Sequence, residues 1–197
     1  YEDLKVMIHL DHMQHHEDRR ILNSDLSPFS SIMFDASTLP LEENVKLTAK
    51  FVQKNQNSIF IEGACDEIVD ADGGGQNNIT TPANTLRYLS ETGVDVIVAN
   101  LGTEHRAAGK QLCYDSDAAR RIKEKVGNKI LLHGTSSVSD EQIRRVFPDG
   151  ICKVNLWTAF ERDSSPVLFE NMVRNASKIS GTQTVYKLVQ EGYLTEK

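Results

Sequence analysis

Val6-Met7-Ile8-His9-Leu10-Asp11-His12 is an apolar run that ends on a carboxylate set between two histidines. Short, nearly unbroken apolar runs of this kind fit strands buried on both faces. His105 and His133 close later strand-like runs, each followed by turn or polar residues. Three histidines at three strand exits, with Asp11 beside the first, form the pattern of a metal site on one rim of a parallel barrel. Neutral imidazoles are good ligands for Zn²⁺, and three of them leave a position open for substrate. One histidine at a strand end is ordinarily a satisfied polar residue. It is the repeated context that points to ligands.

Working outward, apolar β-rich runs recur at 5–10, 31–34, 58–61, 94–99, 129–132 and 151–156. Amphipathic stretches separate them at 41–53, 81–91, 116–126 and 140–147. Thr81-Pro82 reads as a helix start, and Ser139 with Gln142 as a capping box. Gly93 and Gly127 follow helical stretches, where a left-handed residue is wanted. Strict β-α alternation means a parallel sheet with right-handed crossovers. An open doubly wound sheet concentrates its chemistry at one switch point, whereas a barrel uses many strand ends. Here chemical residues stand at the exits of at least five of the six strands. The expected fold is a (β/α)8 TIM barrel whose first two βα units are missing from the chain. It is read as one domain over 1–197, N-terminally incomplete; the chain opens at Tyr1, without Met, and runs straight into a strand.

Within the first segment His9 and His12 lie three residues apart, so on a regular strand they face opposite ways. His12, at the exit, is taken as the ligand and His9 as a packing or supporting residue. His15 and His16 fall in a charged helical stretch, 13–20, and read as surface residues. The acidic, Gly-rich segment 65–78 and the segment 101–114 read as long loops over the strand-end face.

Composition excludes several classes. The net charge of −6 argues against a nucleic-acid binder, which needs a basic footprint. No apolar run approaches the roughly 20 residues that span a bilayer, and the opening residues do not read as a signal peptide. Cys65, Cys113 and Cys152 are scattered and odd in number, which fits a reducing cytoplasm.

Asp11 is suited to proton transfer beside a metal, or alternatively to orienting an imidazole. Gly134-Thr135-Ser136 follows the fifth run, and Lys153-Val154-Asn155-Leu156-Trp157-Thr158 covers the sixth. In a complete barrel these are the seventh and eighth strands, whose loops commonly cradle phosphate.

Five segments, in order, resemble the motifs of the class II ketose-bisphosphate aldolases, zinc enzymes of the fructose- and tagatose-bisphosphate aldolase type. They are His9-Leu10-Asp11-His12, Ser31-Ile32-Met33-Phe34-Asp35-Ala36-Ser37, Gly102-Thr103-Glu104-His105, Leu132-His133-Gly134-Thr135-Ser136 and Lys153-Val154-Asn155-Leu156. The resemblance implies one zinc ion on His12, His105 and His133, with Asp11 as the proton donor. It implies a phosphorylated sugar held by Gly134, Thr135 and Ser136, with Asn155 at the enediolate region and Thr158 near the same phosphate. The implied reaction is cleavage or formation of a C–C bond through a metal-stabilised enediolate, in carbohydrate metabolism such as glycolysis. A cytoplasmic homodimer is implied as well.

The departures are specific. Relatives usually carry Glu-x-Glu where this chain has Glu62-Gly63-Ala64, so Ala64 removes an auxiliary metal ligand. Arg106 replaces a glycine after the second zinc histidine and could receive a substrate anion through its planar fork. Trp157 stands where a small or acidic residue is usual. Two alternatives stay open: a non-catalytic aldolase-like binding protein, and a metal-dependent hydrolase on the same barrel. The hydrolase is disfavoured because the chain has no His-x-His pair.

Overall fold

The computed structural model describes residues 3–55, 58–68, 78–105, 114–176, 178 and 182–192. It divides into two compact units, Tyr1–Leu156 and Trp157–Lys197. The first unit holds six strands: β1 (His9–Gln14), β2 (Ser31–Asp35), β3 (Phe60–Ala64), β4 (Val96–Val98), β5 (Ile130–Leu132) and β6 (Ile151–Val154). Its helices are α1 (Arg19–Leu22), α2 (Leu41–Asn55), α3 (Pro82–Thr92), α4 (Ser116–Val126) and α5 (Asp140–Ile143). The second unit contains α6 (Thr158–Arg174) and α7 (Thr182–Gln190).

All pairings are parallel, and the sheet order is β1-β2-β3-β4-β5-β6. A sequential order has no switch point, and right-handed crossovers then put every helix on one face. The ladder is open among the described residues, with β1 and β6 at its edges. It is also strongly curved. Laid flat, five strand spacings would separate β1 from β6 by about 24 Å. Yet Asn155, just past β6, donates from Nδ2 to Oδ1 of Asp11 in β1 at 3.0 Å. The described fold is therefore a curled six-stranded open parallel sheet.

The convex face is covered by α2, α3 and α4. Ile32, Phe34, Ile61 and Ile97 pack with Val45, Phe51 and Tyr88 in one cluster, and Ile130, Leu132 and Ile151 with Ile122 in another. Gly63 is required here, since a Cβ would fall 2.8 Å from the Tyr88 ring and 2.9 Å from Val94. The concave face is smaller and mixed: Met33, Ala64, Val96, Val98 and Leu131 cluster on it. Helix ends follow the local chemistry. Thr81 accepts from Asn84 N–H at the start of α3, and Gly93 ends it with φ +73°. Asp115 caps α4, and Ser139 and Gln142 form the expected capping box.

Three of the differences from the sequence reading bear on the argument. β1 begins at His9 rather than Lys5, and Leu4, Val6, Met7 and Ile8 are exposed. Apolar content alone does not make a strand: the ladder with β2 starts at His9 opposite Ser31. Met13 and Gln14, read as helical, finish β1 instead, and the helix that follows is only Arg19–Leu22. The stretch 140–147 leaves the α-helix after Ile143, where Arg145 N–H bonds to Gln142 O, and a 3₁₀ turn, Phe147–Asp149, follows.

Candidate metal centre

Strand β1 carries a bulge. Leu10 pairs with Ile32 and Met13 with Phe34, so three steps on β1 oppose two on β2. Leu10 and Met13 consequently both pack into the convex core, which a regular strand would forbid at a spacing of three. The slack is taken by His12, whose φ of +49° is the one positive value on a non-glycine residue among the described residues. The bulge removes the premise that His9 and His12 oppose each other: it re-aims His12 across the concave mouth.

His12 Nε2 lies 3.0 Å from His133 Nδ1. One ring nitrogen from each of His12, His105 and His133 lies within 4.8 Å of the others. A tetrahedral zinc with Zn–N near 2.0–2.1 Å sets its ligand nitrogens about 3.3 Å apart, so this donor set fits the ion with small ring movements. His133 leaves β5 fully buried and is pinned through its carbonyl, which accepts from Thr103 Oγ1 at 2.7 Å. His105 is not at a strand exit: β4 ends at Val98, and the chain reaches His105 through a loop. Within that loop the Asn100 side chain accepts from Gly102 N–H at 3.0 Å.

His12 Nδ1 is 3.0 Å from Asp35 Oδ2, so the carboxylate fixes the ring and leaves Nε2 as the ligand nitrogen. Asp35 is itself held by Gln14 Nε2 at 3.0 Å and by the N–H and hydroxyl of Ser37 at 3.0 and 2.6 Å. Asp35 is a functional residue that the sequence reading leaves without a role. The signal was local: Asp-x-Ser at a strand exit is an aspartate whose side chain closes its own turn.

Electrostatics separate the groups. Burial lowers His133, and the charge of His12 adds to it, to about 3, so this imidazole stays neutral. Burial also opposes charge on His12, but the Asp35 hydrogen bond and the carboxylates of Asp11, Asp35 and Glu62 outweigh it and raise its pKa. Burial raises Asp11, yet the close His9 ring and the electrostatic pull of the neighbouring imidazoles, His12 among them, bring it down to about 2.

Asp11 and Asn155 are brought together, and Asn155 Nδ2 also lies 3.0 Å from His133 Nε2. Gly134, Thr135 and Ser136 form a buried turn directly after His133. Gly134 sits at φ +66°, and a Cβ there would fall 2.8 Å from the backbone nitrogen of Glu104. The side chains of this turn are largely engaged within the protein: Thr135 Oγ1 donates to Asn155 O at 2.7 Å, and Ser136 Oγ to Glu104 O at 3.4 Å. An anion here would meet mainly backbone N–H groups. Thr158 lies in the second unit, as the first residue of α6. Arg106 lies outside the described residues. Among the described residues no helix is long and apolar enough to cross a membrane.

Comparison with known proteins gives a consistent result. The family model "Fructose-bisphosphate aldolase class-II" matches residues 1–193. Fructose-bisphosphate aldolase from Streptococcus pneumoniae (TIGR4) is 33% identical over 178 residues, covering 88% of this chain and 58% of the relative. D-tagatose-1,6-bisphosphate aldolase subunit GatY from Klebsiella oxytoca is 30% identical over 167 residues, 79% of this chain and 56% of the relative. The crystal structure of a fructose-1,6-biphosphate aldolase candidate from Coccidioides immitis superposes with a TM-score of 0.72 at 29% identity, covering 85% of this chain and 62% of that one. The chain thus spans little more than half the length of the curated relatives it matches.

Proposed function

The chain belongs to the class-II fructose-bisphosphate aldolase family, and from that premise we propose that it cleaves or forms a C–C bond in a phosphorylated ketose, with one zinc ion on His12, His105 and His133. The observation that supports this most is the convergence of three imidazoles beside the Asp11–Asn155 pair. Zinc at these nitrogens supplies a Lewis acid that polarises the substrate carbonyl and stabilises the negative charge gathered as the C–C bond breaks.

The chain's own groups do the rest. Asp35 holds the His12 ring in its ligand tautomer. Asp11 moves the proton between its carboxylate and the hydroxyl at the scissile carbon, held in place through Oδ1 by Asn155. The backbone of Gly134, Thr135 and Ser136 receives the ketose phosphate. Arg106 and Thr158 are assigned to substrate anion binding from their places in the sequence. We further read the six strands as the last six of an eight-stranded barrel, and the protein as a cytoplasmic homodimer.

The test is direct. The purified chain is stripped with chelator, reloaded with zinc, dialysed, and assayed on fructose 1,6-bisphosphate and tagatose 1,6-bisphosphate. One zinc per chain and zinc-dependent release of triose phosphate are expected, because Ala64 removes the auxiliary ligand. A zinc-loaded chain that cleaves neither ketose overturns the activity; two tightly held ions overturn the single-site reading.

A further inference from the structure

Beneath the three histidines, the concave face carries a second polar cluster. Glu62 in β3 is 1% exposed. One of its oxygens, Oε1, accepts from Lys153 Nζ of β6 at 2.7 Å. The other, Oε2, is buried and has no hydrogen-bond partner. It faces the Nε2 of His9, 3.5 Å away, which is likewise buried and without a hydrogen-bond partner. The same Nε2 is 3.5 Å from Asp11 Oδ1. On its far side the His9 ring is fixed by Ser31, with Nδ1 2.8 Å from Oγ.

A buried ion pair with a loose end is poor stabilisation, since an apolar pair of similar volume commonly does as well or better. Buried polar atoms left unpaired call for a reason. The geometry supplies one. Nε2 of His9 stands between two carboxylate oxygens, and a lone pair directed at both would be repelled by both. The ring must therefore carry its proton on Nε2, with Nδ1 free to accept from the Ser31 hydroxyl. That proton attracts Glu62 on one side and Asp11 on the other.

We infer that Lys153, Glu62 and His9 are positioning residues that hold the Asp11 carboxylate in its working orientation, through one His9 Nε2–H shared between Glu62 and Asp11. This deepens the aldolase reading above and rests on it. Lys153 anchors Glu62 from β6, Glu62 sets the tilt of the His9 ring, and His9 together with Asn155 engages Oδ1 of Asp11. Among the described residues no hydrogen bond engages Asp11 Oδ2, so that oxygen is left for the substrate proton. Strands β1, β3 and β6 are thereby tied across the concave face to one carboxylate.

Two measurements on the zinc-loaded full chain test this. In ¹⁵N-labelled protein, two-bond proton–nitrogen correlations of the His9 ring are expected to show a proton on Nε2; a ring protonated on Nδ1 alone overturns the inference, whatever the activity. In steady-state kinetics on the better of the two ketose bisphosphates, His9→Leu and Glu62→Gln should each lower kcat by roughly tenfold to a hundredfold, with KM and zinc content within about twofold. His9→Gln, whose amide nitrogen occupies the place of Nε2, should recover most of the loss. Unchanged kcat in His9→Leu, or no recovery in His9→Gln, overturns it. Zinc-loaded wild type without turnover on any ketose phosphate overturns the aldolase reading instead, and the ring state still decides the contact chain.

Discussion

Strands β1 and β5 deliver imidazoles to the same point by opposite means. β5 is interior, buried at each of its three positions, and continues into a fully buried His133. The sharp turn falls one residue later, on Gly134, where a positive φ is cheap. β1 is only partly buried, and takes its positive φ on the candidate ligand His12 itself. A histidine held there carries strain of about 1–3 kcal/mol, which the packing of Leu10 and Met13 on a common face overrides. An interior strand can hand the awkward backbone to a glycine beyond the ligand. A strand that is only partly buried can bulge and make the histidine itself the awkward residue.

The largest effect that bears on this contrast is ligand removal. His133→Ala and His12→Ala should each weaken zinc binding by at least about a thousandfold, near 4 kcal/mol, measured by chelator competition. They should part company without metal. His133→Ala opens a void in a packed strand end and should lower the metal-free Tm clearly more than His12→Ala does at its half-open site. Equal metal-free Tm values would mean that the buried and the half-buried position are not different in kind. Next in size is Gly134→Ala. It combines a left-handed backbone with a Cβ 2.8 Å from the Glu104 backbone, and neither side can move like a flexible side chain. A loss of about 3 kcal/mol is expected, lowering Tm by roughly 6–12 °C.

The same contrast explains what the sequence could show. The helix Ser116–Val126 was legible because its amphipathic period and the Gly127 that follows agree with one another, and the structure adds the Asp115 cap. That His12 and His133 stand at strand ends was legible because each closes an apolar run, whereas the meeting of Asp11 with Asn155 was not read. Nor was the bulge. Leu10 and Met13 stand three apart, a spacing that does not announce a strand, and only the partner register reveals the one-residue shift. The Glu62–Lys153 pair was equally hidden: its members are 91 residues apart and meet only because the sheet curls. His105 was placed too simply, since β4 stops at Val98 and the loop that carries the ligand has no periodicity to read.

Asp35→Asn sharpens the comparison on the β1 side alone. His12 has a carboxylate on Nδ1, whereas Asn155 is the side chain hydrogen-bonded to His133 Nε2. The amide still accepts from Nδ1–H but without charge, and zinc affinity should drop by about tenfold to a hundredfold. Zinc affinity unchanged in titration calorimetry would mean that the bulge, not Asp35, orients the ring.

The smallest effect is the most diagnostic, because it changes sign between the two strands. At position 12 the backbone has φ +49°, where alanine is strained and glycine is not. In metal-free protein His12→Gly should therefore be more stable than His12→Ala, by about 0.5–1 kcal/mol once the entropy of glycine is subtracted from the relieved strain. At position 133 the φ is not positive, so glycine gains nothing and keeps its entropic cost. His133→Gly should then be less stable than His133→Ala by a similar amount, about 0.5–1 kcal/mol. Denaturant midpoints of the four variants, at constant m, separate the cases. If glycine is the worse choice at both positions, His12 is not strained, and the bulge in β1 is not the device that aims its ring.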